Sequence, residues 1–223
     1  MSKNVFITAT GTDIGKTYIS ALIVKKMREV GLNCGYFKPV LSGVVEQNGK
    51  LIESDCNYVV NTAKIPVEAD DCVAYWWKEA VSPHLAAKRA GEDINIEKIK
   101  ENFAEKQKKY DYLLIEGAGG ITCPLRLENG EKYLLKDLIK ELSAKIIIVA
   151  DGGLGTINSI ILTVEYAKLN NITIEGIILN NFNPESFMHQ DNLKQVEYLT
   201  DVKVIATVKK NQTDIKLLKE YFK

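Results

Sequence analysis

Eight residues near the amino terminus carry the clearest chemical signal in this 223-residue chain: Thr10-Gly11-Thr12-Asp13-Ile14-Gly15-Lys16-Thr17. The apolar run Val5-Phe6-Ile7 precedes them, and Ile19, Ile23, Met27 and Val30 follow at helical spacing. A turn at the carboxyl end of a buried strand aims successive backbone N–H groups at a phosphate, and the helix behind it adds a positive N-terminal end. Gly15 permits close approach, Lys16 sets an ammonium near the terminal phosphates, and Thr17 offers a hydroxyl to magnesium. The spacing is that of a P-loop, except that Thr10 stands at the first glycine position with Gly11 one place later. A plain strand-to-helix turn with a surface lysine shares some of these residue types. The placement between a first strand and an amphipathic helix favours nucleotide phosphate binding.

Magnesium takes hard oxygen ligands, so such a loop calls for carboxylates nearby. Glu116 closes the apolar run Tyr112-Leu113-Leu114-Ile115 and opens Gly117-Ala118-Gly119-Gly120, an acid and a flexible turn at the ligand-bearing edge of a sheet. The backbone amides of Gly117, Ala118 and Gly119 are thereby free to reach a phosphate; as a bare residue type, Glu116 is also an ordinary loop acid. Asp55 follows Ser54 at the head of a helical stretch over 57–63, where both residues suit a helix start as well as Asp55 suits a metal. Lys38 ends a weaker strand candidate, Gly35-Tyr36-Phe37, and either reaches the crevice or stays in solvent. Ser82-Pro83 reads as a cap and first-turn proline opening a helix. His84 is assigned no chemistry, and Trp76-Trp77 beside Tyr75 is read as packing.

The elements that must position these residues follow from the apolar pattern. The runs Val5 to Ile7, Tyr112 to Ile115, Ile146 to Val149 and Gly176 to Leu179 are continuous, as in strands buried on both faces of a parallel sheet, and Val202 to Val208 is a weaker candidate. Helical patterns lie between them: Ile96, Ile99 and Phe103, then Tyr133 to Leu142, Leu154 to Leu169, His189 to Leu199 and Ile215 to Phe222. The alternation predicts an α/β fold, a P-loop NTPase-like, doubly wound and mostly parallel sheet with helices on both faces. Glu128-Asn129-Gly130-Glu131 predicts a small hairpin, because Asn-Gly suits a tight hairpin turn. No linker or repeat divides the chain, so 1–223 is expected to be one domain.

Composition sets the outer limits. The 29 basic residues match the 29 acidic ones, which argues against a general binder of nucleic acid or of anionic membrane. Cys34, Cys56, Cys72 and Cys123 are scattered without a Cys-x-x-Cys pair, and only two histidines are available, so neither a zinc site nor a disulfide framework is expected. The chain starts without a secretory pattern, and its longest aliphatic block, Ile146 to Ala150, is far short of a span. The expectation is a cytoplasmic protein with reduced thiols.

Taken together the segments resemble the dethiobiotin synthetases, ATP-dependent enzymes of biotin biosynthesis. The matching blocks are Thr10 to Thr17, Gly35 to Gly43, Ser54-Asp55, Ser82-Pro83-His84, Glu116 to Gly120, Gly153 to Asn158 and Asn180, in family order over most of the chain. The resemblance implies that Asp13, Ile14, Gly15, Lys16 and Thr17 bind ATP phosphates, with Thr17, Asp55 and Glu116 around magnesium. It implies that Thr12, Lys38 and Ser42 hold the substrate, Lys38 being the catalytic lysine with Lys16 and Thr12 at the same reaction site. Asn180 matches a residue that reads adenine, with Asn181 beside it. The family is homodimeric, and Leu154, Gly155 and Asn158 lie in the segment that meets the partner subunit and helps bind the substrate's carboxylate tail. Three departures are visible: Ala9 for a glycine, Asp151-Gly152 where many relatives differ, and no proline in Ala206-Thr207-Val208-Lys209.

The implied reaction joins diaminopelargonic acid and carbon dioxide as a carbamate. The carbamate takes the γ-phosphoryl group of ATP, and the resulting carbamic-phosphoric anhydride closes to a cyclic urea. Two other readings stand beside it. One is a P-loop ATPase switch of the partitioning or cell-division type, although such proteins usually carry a second lysine early in the loop. The other is an amide- or urea-forming synthetase of the same fold with a different substrate.

Overall fold

The computed structural model of the chain describes residues 3–128 and 130–216. A seven-stranded sheet of order β11-β10-β9-β1-β6-β2-β5 organises them, and each neighbouring pair runs parallel. Its strands are β1 (Lys3–Ala9), β2 (Cys34–Ser42), β5 (Val73–Trp77), β6 (Tyr112–Glu116), β9 (Lys145–Asp151), β10 (Ile174–Asn180) and β11 (Val204–Thr207). Two antiparallel hairpins stand apart, β3 (Val45–Gln47) with β4 (Lys50–Glu53), and β7 (Pro124–Glu128) with β8 (Glu131–Leu134). The latter pair flanks the expected Asn-Gly turn, whose Asn129 lies outside the described residues.

Helices cover both faces, and the period of the strands decides which residue meets which layer. Ile7, Tyr36, Leu114, Ile147 and Ile178 pack toward α1 (Lys16–Glu29) and α2 (Asp55–Ala63), where Ile19, Ile23 and Val59 meet them. Phe6, Phe37, Leu113, Ile115, Ile146 and Ile148 turn the other way. There they join Ala87 of α3 (Pro83–Ala90), Ile99 and Phe103 of α4 (Ile96–Lys109), Leu138 of α5 (Leu135–Glu141), Val164 of α6 (Thr156–Leu169) and Val196 of α7 (Phe187–Thr200). Consecutive strand residues belong to opposite layers, so these strands read as unbroken apolar runs. The doubly wound expectation holds.

Several element expectations are corrected. Tyr133 and Leu134 belong to β8 rather than to a helix, because Tyr133 pairs with Arg126 across the hairpin. Leu134 then caps α5, its N–H donating to Asp137 Oδ2 at 2.9 Å. Tyr75-Trp76-Trp77 does pack, with Tyr75 and Trp77 stacked at 5.8 Å, but within β5, an edge strand on β2. Aromatic residues suit a half-covered pleat. The second strand runs through Pro39 to Ser42, longer than its sequence suggests. It pairs with β6 only up to Phe37 and with β5 from Lys38, so the residue without an N–H falls past the end of one ladder. Ile215 and Lys216 are not helical, and the rest of the expected C-terminal helix lies outside the described residues.

Parallel strands end on one side of a sheet. Ala9, Ser42, Glu116 and Asp151 therefore share its carboxyl edge, and that edge holds the chemistry. Among the described residues no helix is long and apolar enough to cross a membrane, and the four cysteines are free thiols.

Candidate active site

Residues 10–15 join β1 to α1 as a loop tied to the sheet by the Thr10 N–H, which donates to Val149 O at 3.1 Å. Asp13 and Gly15 take left-handed conformations, at φ 59° and 93°. Gly15 is fixed by two constraints: a Cβ there would be strained by its φ and would sit 2.3 Å from Asn180 Nδ2. The loop hands over directly to α1, whose first turn contains Lys16 and Thr17 and no acidic residue, so its positive end is open to an anion. Lys16 is buried, with Nζ donating to Gly11 O at 2.9 Å. Burial lowers its pKa, and the nearby Lys38 charge pushes the same way. Thr12 and Asp13 form the exposed lip of the loop.

Beneath the loop lies a charge cluster drawn from four elements. Glu116, at the end of β6, is fully buried. Its Oε1 accepts from Thr17 Oγ1 at 2.7 Å and from Lys38 Nζ at 2.6 Å, and its Oε2 accepts from the Tyr36 hydroxyl at 2.9 Å. Lys38 also donates to Asp55 Oδ2 at 2.5 Å. Burial alone would depress the Lys38 pKa, but the carboxylates of Glu116 and Asp55 reverse this and hold it above its ordinary value. Asp55 is the mirror case: burial opposes its ionisation, Lys38 overrides burial, and the carboxyl ends below its ordinary value. Tyr36 is pushed well up, by burial first and then by the charge of Glu116. The capping question at α2 is resolved by Ser54, whose Oγ accepts from the Asn57 N–H at 3.2 Å. Asp55 is thereby left to Lys38.

A cavity of about 700 Å³ opens above this cluster. Thr12, Asp13, Gly15, Lys16 and Thr17 line one side, with Ala118 and Gly119, while Lys38, Ser42, Asp55 and Ser82-Pro83 line the other. Ser42 Oγ donates to Val81 O at 2.6 Å, which ties the end of β2 to the segment before α3. The glycine turn after Glu116 closes on the phosphate loop: a Cβ on Gly120 would lie 3.2 Å from Ala9 O, so the contact is made by bare backbone. Gly117 is packed under the turn, where a Cβ would meet Leu135 and Phe6, and its N–H donates to Ile7 O at 3.0 Å; contrary to expectation its amide is not free to reach a phosphate.

The remaining expected residues lie elsewhere. Asn180, at the end of β10, backs the phosphate loop, with Nδ2 donating to Ile14 O at 3.0 Å and a buried Oδ1 that has no partner. Asn181 is exposed, and its Nδ2 is taken by Asp151 Oδ2 at 2.8 Å. Asp151 also accepts from the Gly153 N–H at 2.8 Å, so this departure from the family pattern shapes the turn before α6. Leu154, Gly155 and Asn158 are exposed around the start of α6 and do not line the cavity. Tyr36 and Cys123 are at the site without having been expected. Strand parity could have found Tyr36, since it lies two residues before Lys38 and shares its face.

The donor set suits a hard dication. Thr17 Oγ1 meets Glu116 Oε1, and the Lys38 ammonium sits between that oxygen and Asp55 Oδ2 as a stand-in cation, so oxygens of all three residues cluster there. The unpartnered Asn180 acceptor likewise suits a bound amine donor.

Comparison with known proteins gives the family. The model of an AAA domain matches residues 3–214. An ATP-dependent dethiobiotin synthetase of Clostridium botulinum is 50% identical over 219 residues, covering 97% of this chain and 95% of that protein. One of Brachyspira hyodysenteriae is 48% identical over 208 residues, covering 93% and 92%. The chain belongs to the dethiobiotin synthetase family. As a member it is an enzyme of the ligase class. Solved structures outside the dethiobiotin synthetases show the fold alone: the MinD cell division protein of Aquifex aeolicus has a TM-score of 0.54 at 15% identity over 96% of this chain and 88% of its own. The MinC:MinD complex of that organism gives 0.56 at 15%, covering 94% and 82%. A switch ATPase is therefore not the favoured reading.

Proposed function

We propose that this chain makes dethiobiotin from diaminopelargonic acid, carbon dioxide and ATP. The observation that carries the reading is the buried Lys38 ammonium, held between Asp55 and Glu116 across a cavity from the phosphate loop. In the proposed sequence one substrate amine adds to carbon dioxide and loses a proton, giving a carbamate. A carbamate oxygen attacks the γ-phosphorus and ADP leaves. The second amine then attacks the carbamoyl carbon of the mixed anhydride, phosphate leaves with the proton that this amine gives up, and the urea ring is closed.

Phosphoryl transfer of this kind needs positioning and charge neutralisation more than covalent help from the protein. Lys16 and the N–H groups at the start of α1 hold the phosphates, while Lys38, with Thr12 and Ser42 about the same cavity, holds the carbamate against them. Ala118 and Gly119 support the phosphates from the facing turn, with Gly117 as its buried base. Thr17, Asp55 and Glu116 would hold magnesium, which supplies charge neutralisation at the β- and γ-phosphates when bound. Asn180, with Asn181 beside it, faces the base, and the free Oδ1 of Asn180 fits an exocyclic amino donor such as that of adenine.

We further propose that residues 1–223 act as one domain, in a homodimer, in the cytoplasm. Asn158, Leu162 and Leu169 recur along one exposed stripe of α6, with Leu162 63% and Leu169 82% exposed and Leu154 93% exposed just before the helix. A second copy seated there would bring Leu154, Gly155 and Asn158 to the neighbouring site. The test of the catalytic reading is ADP release: it is expected only when diaminopelargonic acid and bicarbonate are both present. Equal release with either omitted, or with an unrelated amine, would reject it in favour of a different synthetase or a switch.

A further inference from the structure

We propose that Tyr36 is a positioning residue that fixes the Glu116 carboxylate so that only Oε1 faces the cation. This rests on the reading that Thr17, Asp55 and Glu116 hold magnesium.

The two oxygens of Glu116 have separate surroundings. On one side the Tyr36 hydroxyl donates to Oε2 at 2.9 Å, and Tyr36 is itself only 1% exposed, with its ring in the layer between the sheet and α1. On the other side Oε1 collects both groups that belong to the site, Thr17 Oγ1 and Lys38 Nζ. The terminal torsion of a glutamate is broad and roughly two-fold, so packing of the stem alone leaves its carboxylate poorly oriented. A donor on a rigid ring removes that freedom. Tyr36 can serve because it stands on β2 two residues before Lys38, on the same face, and directly beside Leu114 of β6, two residues before Glu116. The two strands thus bring a phenol and an ammonium to one carboxylate in register. Partners that orient a ligating carboxylate commonly change metal affinity about 10–100-fold when lost.

The test is Tyr36→Phe, which keeps the ring and removes the donor. Mn²⁺ binding is followed by the paramagnetic resonance of the free ion, with saturating ADP. The proposal expects Mn²⁺ to bind at least about 10-fold more weakly to the variant, while ADP affinity without metal matches the parent chain and the melting temperature falls only as far as the loss of one buried hydrogen bond requires. Equal Mn²⁺ affinity in the two chains overturns the role of Tyr36 alone. Uptake of no Mn²⁺ by the parent chain overturns the magnesium reading and this role with it. A parallel loss of ADP affinity and melting temperature marks Tyr36 as merely structural and also overturns the proposal. Should the variant fail to fold, the parent chain decides: the Tyr36 Cζ resonance is expected to shift when Mg²⁺ is added to the ADP complex, and an unmoved resonance contradicts the proposal.

Discussion

The ammonium of Lys38 lies 2.6 Å from Glu116 Oε1, with the lysine side chain 4% exposed and the carboxylate wholly buried. Burying such a pair costs desolvation that its attraction only partly offsets, so the arrangement is a poor device for stability alone. It is a good device for presenting a charged lysine at the floor of a cavity.

Replacing that lysine should separate chemistry from binding. For Lys38→Ala, turnover at saturating substrate is expected to fall by about a hundredfold, the equivalent of ~3 kcal/mol of lost transition-state stabilisation. ADP affinity by calorimetry should change far less, because the phosphate loop is untouched. Comparable turnover in the two proteins removes Lys38 from the reaction.

Asp55 lines the same cavity but leaves the capping of α2 to Ser54. Asp55→Asn is therefore expected to keep the helix and raise the magnesium concentration needed for half-maximal rate. An unchanged magnesium titration would reduce Asp55 to a partner of Lys38.

Cys123 borders the cavity proposed to hold the nucleotide, yet burial pushes its thiol up to about 11. The folded protein thus holds this proton more tightly than the unfolded chain, whose thiol titrates near ~8.5. The thiol's contribution to stability is complete below that pH and is lost as pH rises toward 11. Alkylation of Cys123 by iodoacetamide, mapped by mass spectrometry, should rise about tenfold per pH unit from pH 8 upward, and ADP should slow it. A half-maximal rate near the ordinary thiol value contradicts this.

Leu162 lies on the exposed stripe of α6 together with Asn158 and Leu169. Leu162→Glu would place a charge in the centre of the proposed subunit contact. Sedimentation is expected to show a dimer for the parent chain and a monomer for the variant, with the melting temperature of dilute protein little changed. A parent chain that sediments as a monomer removes the shared site.

The phosphate loop and Glu116 were legible because their signals are local: a strand end, a glycine turn and a helix start are contiguous in the chain. The placement of Lys38 against Glu116 spans 78 residues of sequence, and only the pairing of β2 with β6 brings them together. Tyr36 was hidden for a related reason. A tyrosine in an apolar strand reads as core, and its core role is real; the hydroxyl becomes meaningful only when the neighbouring strand supplies its acceptor. Tyr133-Leu134 reads as helix from sequence because a short apolar stretch fits strand and helix alike until a hairpin partner is seen. Ser54 and Asp55 were both good helix starts on type alone, and the geometry of one hydroxyl separates them.

The product of the proposed reaction is its most direct test. The purified chain, supplied with diaminopelargonic acid, ¹³C-bicarbonate, ATP and magnesium, is predicted to form a cyclic urea carrying ¹³C at its carbonyl, with one phosphate released per ring closed. Phosphate released without labelled urea, or labelled urea formed without ATP, would contradict the account.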